Sequence, residues 1–156
     1  KNKPLVERLV EESGKSLQSH RNLKWRVGIP VSALIEQCGG LPAGTGKVIG
    51  GGPMMGRAMV NIDAPVNKGT SGIVVMAEAE ASRPKAEVCI RCSKCTGVCP
   101  MVLEPYMLYK LARRNLVAAM DNYYAADCTE SGSCAYTCHG ALPLLDYIRS
   151  AKAEVI

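Results

Sequence analysis

Seven of the chain's eight cysteines fall between Cys89 and Cys138, in two groups of nearly identical spacing. The first reads Cys89-Ile90-Arg91-Cys92-Ser93-Lys94-Cys95-Thr96-Gly97-Val98-Cys99-Pro100. This is C-x2-C-x2-C-x3-C-P, a run that binds cubane iron–sulfur clusters. The reason is loop geometry: two-residue gaps let three thiolates wrap three corners of one cube. The fourth cysteine, with a proline behind it, points away and serves a second cluster. A four-cysteine zinc site usually combines two separated C-x2-C pairs instead. Cysteines this close together are poor disulfide partners, and a thiol-rich chain without an export signal belongs in a reducing compartment.

The second group, Cys128-Thr129-Glu130-Ser131-Gly132-Ser133-Cys134-Ala135-Tyr136-Thr137-Cys138-His139, repeats the spacing. Ser131 stands where the second cysteine belongs, and His139 stands where the first copy has Pro100. The groups are an internal repeat with an altered second copy. Crossed ligation assigns Cys89, Cys92, Cys95 and Cys138 to cluster one, a [4Fe-4S] centre. It assigns Cys99, Cys128 and Cys134 to cluster two, with Ser131 at the fourth corner. Three states of cluster two stay open. Ser131 ligates through oxygen in a labile four-iron cluster, three thiolates hold a [3Fe-4S] cluster, or the site is empty. Oxygen matches this iron less well than thiolate, so a three-iron or labile four-iron cluster is expected. His139 is an alternative ligand, although a ligand's neighbour usually points elsewhere.

Composition narrows the class. With 47% apolar and 21% charged residues the chain reads as soluble and globular, long enough for two small domains. No apolar run approaches the ~18 residues of a transmembrane helix. The opening Lys1-Asn2-Lys3-Pro4 reads as a cut inside a longer protein. Aromatics are 4% with no Phe, and Lys and Arg do not cluster, which argues against nucleic acid as a partner. The net charge of +5 counts cysteines as neutral thiols. Two four-iron clusters, at about −2 each with their thiolates, would bring it to about +1.

Residues 101–127 read as helix, with Pro105 at its start and Leu108, Leu111, Ala112, Leu116 and Ala119 on one face. Pro143 opens another, with Leu144, Leu145, Ile148 and Ala151 inward. Such helices between motifs indicate a helical two-cluster ferredoxin-like domain over 89–156. Residues 1–77 read as a small α+β domain. Strands are expected at Val27–Val31, Lys47–Ile49 and Gly72–Met76. A short helix follows Pro30, with Ser32 as N-cap and Gly39-Gly40 as its stop. The glycine-rich loop 50–56 needs unusual backbone angles, and 78–88 is a linker by composition. Cys38 is expected to be a buried small hydrophobe. Neither Gly46-Lys47 nor the glycines at 50–56 complete a phosphate-binding fingerprint.

Several segments resemble one family. Val27-Gly28-Ile29-Pro30-Val31-Ser32, Cys38-Gly39-Gly40-Leu41, Gly51-Gly52-Pro53-Met54-Met55-Gly56 and Pro65-Val66-Asn67-Lys68-Gly69-Thr70-Ser71-Gly72 carry the likeness. So do both cysteine groups and the tail Pro143-Leu144-Leu145-Asp146-Tyr147-Ile148-Arg149. Together they resemble the C-terminal part of the C subunit of the Rnf ion-translocating electron-transport complex. A cobalamin-reductase family shares the layout. The Rnf resemblance implies an α+β fold in which a β-grasp, soluble-ligand-binding (SLBB) domain is followed by the iron–sulfur domain. It also implies a peripheral position on the cytoplasmic face of the bacterial inner membrane, reached only through partner subunits. Ferredoxin or a flavin-carrying protein is the implied redox partner. FMN and NADH would bind an upstream domain, so no residue here is assigned to them. Ser131 and His139 depart from the family pattern.

The resulting functional expectation is electron transfer without a catalytic residue in this segment. His20 and His139 have no catalytic partner visible in sequence. Arg91 and Lys94, between ligands of cluster one, either raise its potential or are solvated loop charges. The alternative of a different class is a zinc-stabilised interaction module without redox activity, which would be colourless.

Overall fold

The computed structural model describes residues 2–15 and 17–155; Lys1, Ser16 and Ile156, inside the two expected domains, lie outside them. The chain divides between Arg83 and Pro84 into two units. In the first, β1 (Glu7–Ser13), β2 (Arg21–Arg26), β3 (Thr45–Gly50), β4 (Arg57–Ala58) and β5 (Gly72–Ala77) form one sheet in the order β2-β1-β5-β3-β4. β5 is central, parallel to β1 and antiparallel to β3, and both outer pairs are antiparallel. Helix α1 (Val31–Gln37) supplies the apolar side chains that cover the sheet. Val31, Leu34, Ile35 and Cys38 pack with Val10, Val48, Ile73 and Val75. Full burial stabilises such aliphatic side chains by about 1.5–3 kcal/mol each.

Three local expectations for this unit are corrected. The strand expected at Val27–Val31 lies earlier, because Gly28 bends the chain at φ +101° and Pro30 has no N–H for a ladder. Only an isolated bridge between Pro30 and Pro65 remains there. Ser32 is not the N-cap: α1 already begins at Val31, and the Ser32 hydroxyl donates to Asp63 Oδ1 at 2.9 Å. Residues 78–88 are not wholly a linker, since α2 (Glu78–Ala81) forms and Lys47 Nζ donates to the Ala81 carbonyl at 3.3 Å. The strands expected at 47–49 and 72–76 lie within β3 and β5. In the glycine-rich loop, Gly51 takes φ +110°.

The second unit contains α3 (Lys94–Gly97), α4 (Pro105–Arg113), α5 (Val117–Met120), α6 (Ser133–Tyr136) and α7 (Leu144–Val155). Two 3-10 turns, Asp121–Tyr123 and Ala125–Asp127, follow α5. Leu108 and Ala112 of α4 pack with Met120 and with Leu144, Ile148 and Ala151 of α7. The rings of Tyr109 and Tyr147 meet edge to face at 5.1 Å. The single helix expected over 101–127 is corrected to two. The chain leaves α4 at Asn115, whose φ is +54°, so the helical phase is lost and Leu116 is 49% exposed.

Candidate metal centre

The two cysteine loops share one backbone path, thirty-nine residues apart. Left-handed torsions recur at Arg91 (φ 55°) and Glu130 (55°), at Ser93 (59°) and Gly132 (78°), and at Val102 (54°) and Ala141 (48°). One turn of helix then carries the third cysteine of each group, α3 in the first and α6 in the second. The Cys99 N–H donates to the Thr96 carbonyl at 3.2 Å, and the Cys138 N–H to the Ala135 carbonyl at 3.3 Å. Bending the chain at the same points sets the fourth cysteine of each group apart from the others, towards the cavity of the other group. Left-handed torsions cost a side chain about 1–2 kcal/mol each. The second copy relieves one of them by placing Gly132 where the first has Ser93.

Two cavities result. The first, about 110 Å³, is lined by Cys89, Cys92, Cys95 and Cys138, with Tyr106 and Leu144 among its walls. The second, about 20 Å³, is lined by Cys99, Cys128, Cys134 and Ser131, against Leu108 and Ile148. These are the two sets named from the spacing. Cys38 lies in the other unit, buried in its core. His139 borders the first cavity and not the second, which sets it apart from Ser131; His20 is exposed. Arg91 and Lys94 line the first cavity and are exposed.

The donors of the first cavity suit a cubane cluster. Four cysteines line the void, the soft donor set that such a cluster takes. Among the described residues, no group of three or more His, Cys, Asp or Glu is placed to hold a single metal ion. Cys89 and Cys92 are exposed, so this site opens to the surface. The second site is more enclosed. Burial is the largest effect pushing the Cys134 thiol up to about 11, with Cys128, Cys99 and Cys95 adding to it. Burial likewise raises Cys95. Free of metal, both thiols hold their protons at neutral pH; iron binding would release them. The Leu103 N–H donates to Cys99 Sγ at 3.4 Å, the kind of bond that tunes a cluster's potential.

Residues outside the motifs also position the second loop. Arg149 Nε on α7 meets Glu130 Oε2 at 2.6 Å, and Lys152 Nζ donates to the Cys128 carbonyl at 2.7 Å. Sequence reading missed both tethers. The signal was available for one of them: Glu130 is the repeat partner of Arg91, an unexplained change of charge sign between the copies.

A family model described as a 4Fe-4S dicluster domain matches residues 83–139. Across 153 residues, 98% of this chain, the sequence is 40% identical to the C subunit of the Na(+)-translocating ferredoxin:NAD(+) oxidoreductase complex of Acetobacterium woodii. It is 40% identical over 152 residues to the C subunit of a proton-translocating ferredoxin:NAD(+) oxidoreductase complex of Clostridium ljungdahlii. It is 37% identical over 154 residues to the C subunit of an ion-translocating oxidoreductase complex of Methanosarcina acetivorans. The matched segment spans 34%, 33% and 34% of those three relatives, about a third of their length. With paired cysteine loops in place and this likeness running along nearly the whole sequence, the chain is homologous to a segment, about a third of their length, of the C subunits of ion-translocating oxidoreductase complexes.

Proposed function

We propose that this chain is the iron–sulfur electron-carrying segment of a membrane-associated complex that couples electron exchange between ferredoxin and NAD to ion movement. The carrying observation is the first cavity, which four cysteines line. When bound, the clusters supply one-electron redox chemistry, and the polypeptide supplies position and environment. Cys89, Cys92, Cys95 and Cys138 hold the first, and Cys99, Cys128 and Cys134 the second. Leu142 and Leu144 exclude water from one side of the first site, while Leu103, Leu108 and Ile148 do so at the second. The exposed edge at Cys89 and Cys92 is where a ferredoxin or flavin-carrying partner would approach. No general base or nucleophile is needed.

Strand order β2-β1-β5-β3-β4, with a helix between the second and third strands, supports the β-grasp (SLBB) reading made for residues 1–77. None of the helices among the described residues is long and apolar enough to cross a membrane. A peripheral position on the cytoplasmic side of the inner membrane, held by other subunits, is our reading, with FMN and NADH bound elsewhere in the parent protein. The test is an anaerobic visible spectrum before and after dithionite, with metal analysis on the same sample. A brown protein that bleaches is expected; a colourless protein holding zinc would refute electron transfer.

A further inference from the structure

Ser131 is the residue that the second site has in place of a thiol, and three observations bear on what it does. The loop around it repeats the first copy's left-handed torsions on either side of the serine, at Glu130 and Gly132, so Ser131 occupies the backbone position of Cys92. The loop is also tied down at two points just ahead of the serine. Glu130 is held by Arg149 at 2.6 Å, and the Cys128 carbonyl by Lys152 at 2.7 Å. A hydroxyl arm is shorter than a thiol arm, and a loop anchored at these points resists moving inward to make up the difference. Finally, the Ser131 hydroxyl has a neighbour of its own, donating to Ser133 Oγ across a long 3.4 Å.

Replacement donors are scarce around this corner. His139 borders the other cavity. The Glu130 carboxylate is engaged by Arg149. Thr129, which lines the second cavity, offers only another hydroxyl. Soft thiolates are the donors that select iron–sulfur clusters, and a neutral hydroxyl is a poor substitute.

We propose that the second site holds a three-iron cluster on Cys99, Cys128 and Cys134, with Ser131 remaining an unligated hydroxyl at the fourth corner. The inference rests on the two-cluster reading above. It implies two unlike centres in one small domain. Cluster type and net charge set reduction potential, so the sites would not be interchangeable steps of a symmetric relay.

The experiment compares the wild-type protein, Ser131→Ala and Ser131→Cys, each purified anaerobically. Iron and sulfide are counted, and EPR spectra are taken before and after dithionite. About seven irons per chain are expected in the wild type and in Ser131→Ala alike, with the near-isotropic signal of an oxidised three-iron cluster before reduction. Ser131→Cys gains about one iron per chain and loses that signal. The proposal is overturned by about eight irons in the wild type with loss of one in Ser131→Ala, which is serine ligation. It is equally overturned by about four irons in all three proteins, which leaves the first cluster intact and the second site unused. Absence of iron from every variant, with zinc in its place, overturns the electron-transfer reading itself.

Discussion

Leu108 joins the wall of the second site to the core of its unit. It has no exposed surface, packs in the core shared by α4 and α7, and lines the second cavity. Leu108→Ala removes the transfer energy of the lost methyl groups and adds a cavity term, together about 2.7–5 kcal/mol. The neighbours Met120, Leu144 and Ile148 are themselves fully buried, and a void of about 20 Å³ already adjoins the position. Little collapse is available, so a loss of about 3–4 kcal/mol is expected. A unit of this size has a stability of about 4–11 kcal/mol at ~0.05–0.15 kcal/mol per residue, so about a quarter or more would go. Native-state hydrogen exchange on anaerobic, cluster-loaded protein reads this directly. The slowest amides of α4 and α7 should exchange about 100- to 1,000-fold faster, at tenfold per ~1.4 kcal/mol. Acceleration below about tenfold would refute the packing argument, because a loss near 1 kcal/mol means the wall closes behind the alanine.

Three further outcomes follow from the geometry. Glu12 is buried at 1% exposure, its carboxyl oxygens lack a hydrogen bond of ordinary geometry, and burial raises its pKa above the ordinary value of 4.5, only partly offset by the nearby Cys38 thiol and Arg21. The unfolded chain therefore ionises at lower pH than the folded one, and residues 2–83 lose stability as pH rises from 4.5 towards the raised value. Glu12→Gln should abolish that decline. Urea titrations followed by Trp25, the only tryptophan, would show the variant gaining on wild type as pH rises above 4.5; a difference that does not change with pH contradicts this. Arg149→Ala frees Glu130 and should cost about 1–2 kcal/mol, since the pair is partly buried and charge-assisted. It should also speed loss of iron from the second site more than the first on chelator challenge; equal loss from both would count against the tether. Gly132→Ala should cost only about 1 kcal/mol in thermal unfolding, because Ser93 already takes the equivalent left-handed torsion with a side chain. A loss above about 3 kcal/mol would mean the loops are less alike than their torsions suggest.

The cysteine loops were the most legible part of the chain, because their chemistry is local. Spacing alone names the candidate sulfur donors, and Pro105 and Pro143 mark where the following helices start. The single substitution at Ser131 is visible by laying one copy on the other. The same repeat offset pairs Ser93 with Gly132 and Arg91 with Glu130. Elements fixed by short-range bias, such as α1 after Pro30 and the strands around Val48 and Val75, were readable for the same reason. β1 was not readable. Its inward face carries Val10 and the buried Glu12, while Leu9 is 63% exposed. An apolar–polar alternation rule is blind to a strand that buries a carboxylate and exposes a leucine. The break at Asn115 escaped notice as well, since the apolar spacing of 108–119 continues smoothly across a residue that turns left-handed.

By itself, the sequence set out the candidate donor sets, the repeat and the serine in place of an eighth motif cysteine, because thiol identity and two- and three-residue gaps are properties of one short stretch of chain. Only the tertiary structure decided how the two sites differ. Their unequal cavities, the walls supplied by Leu108 and Leu144, and the tethers from Arg149 and Lys152 join residues far apart in sequence. Such contacts exist only once α4 and α7 have packed, and no periodicity in the chain encodes which side chain will stand beside which loop.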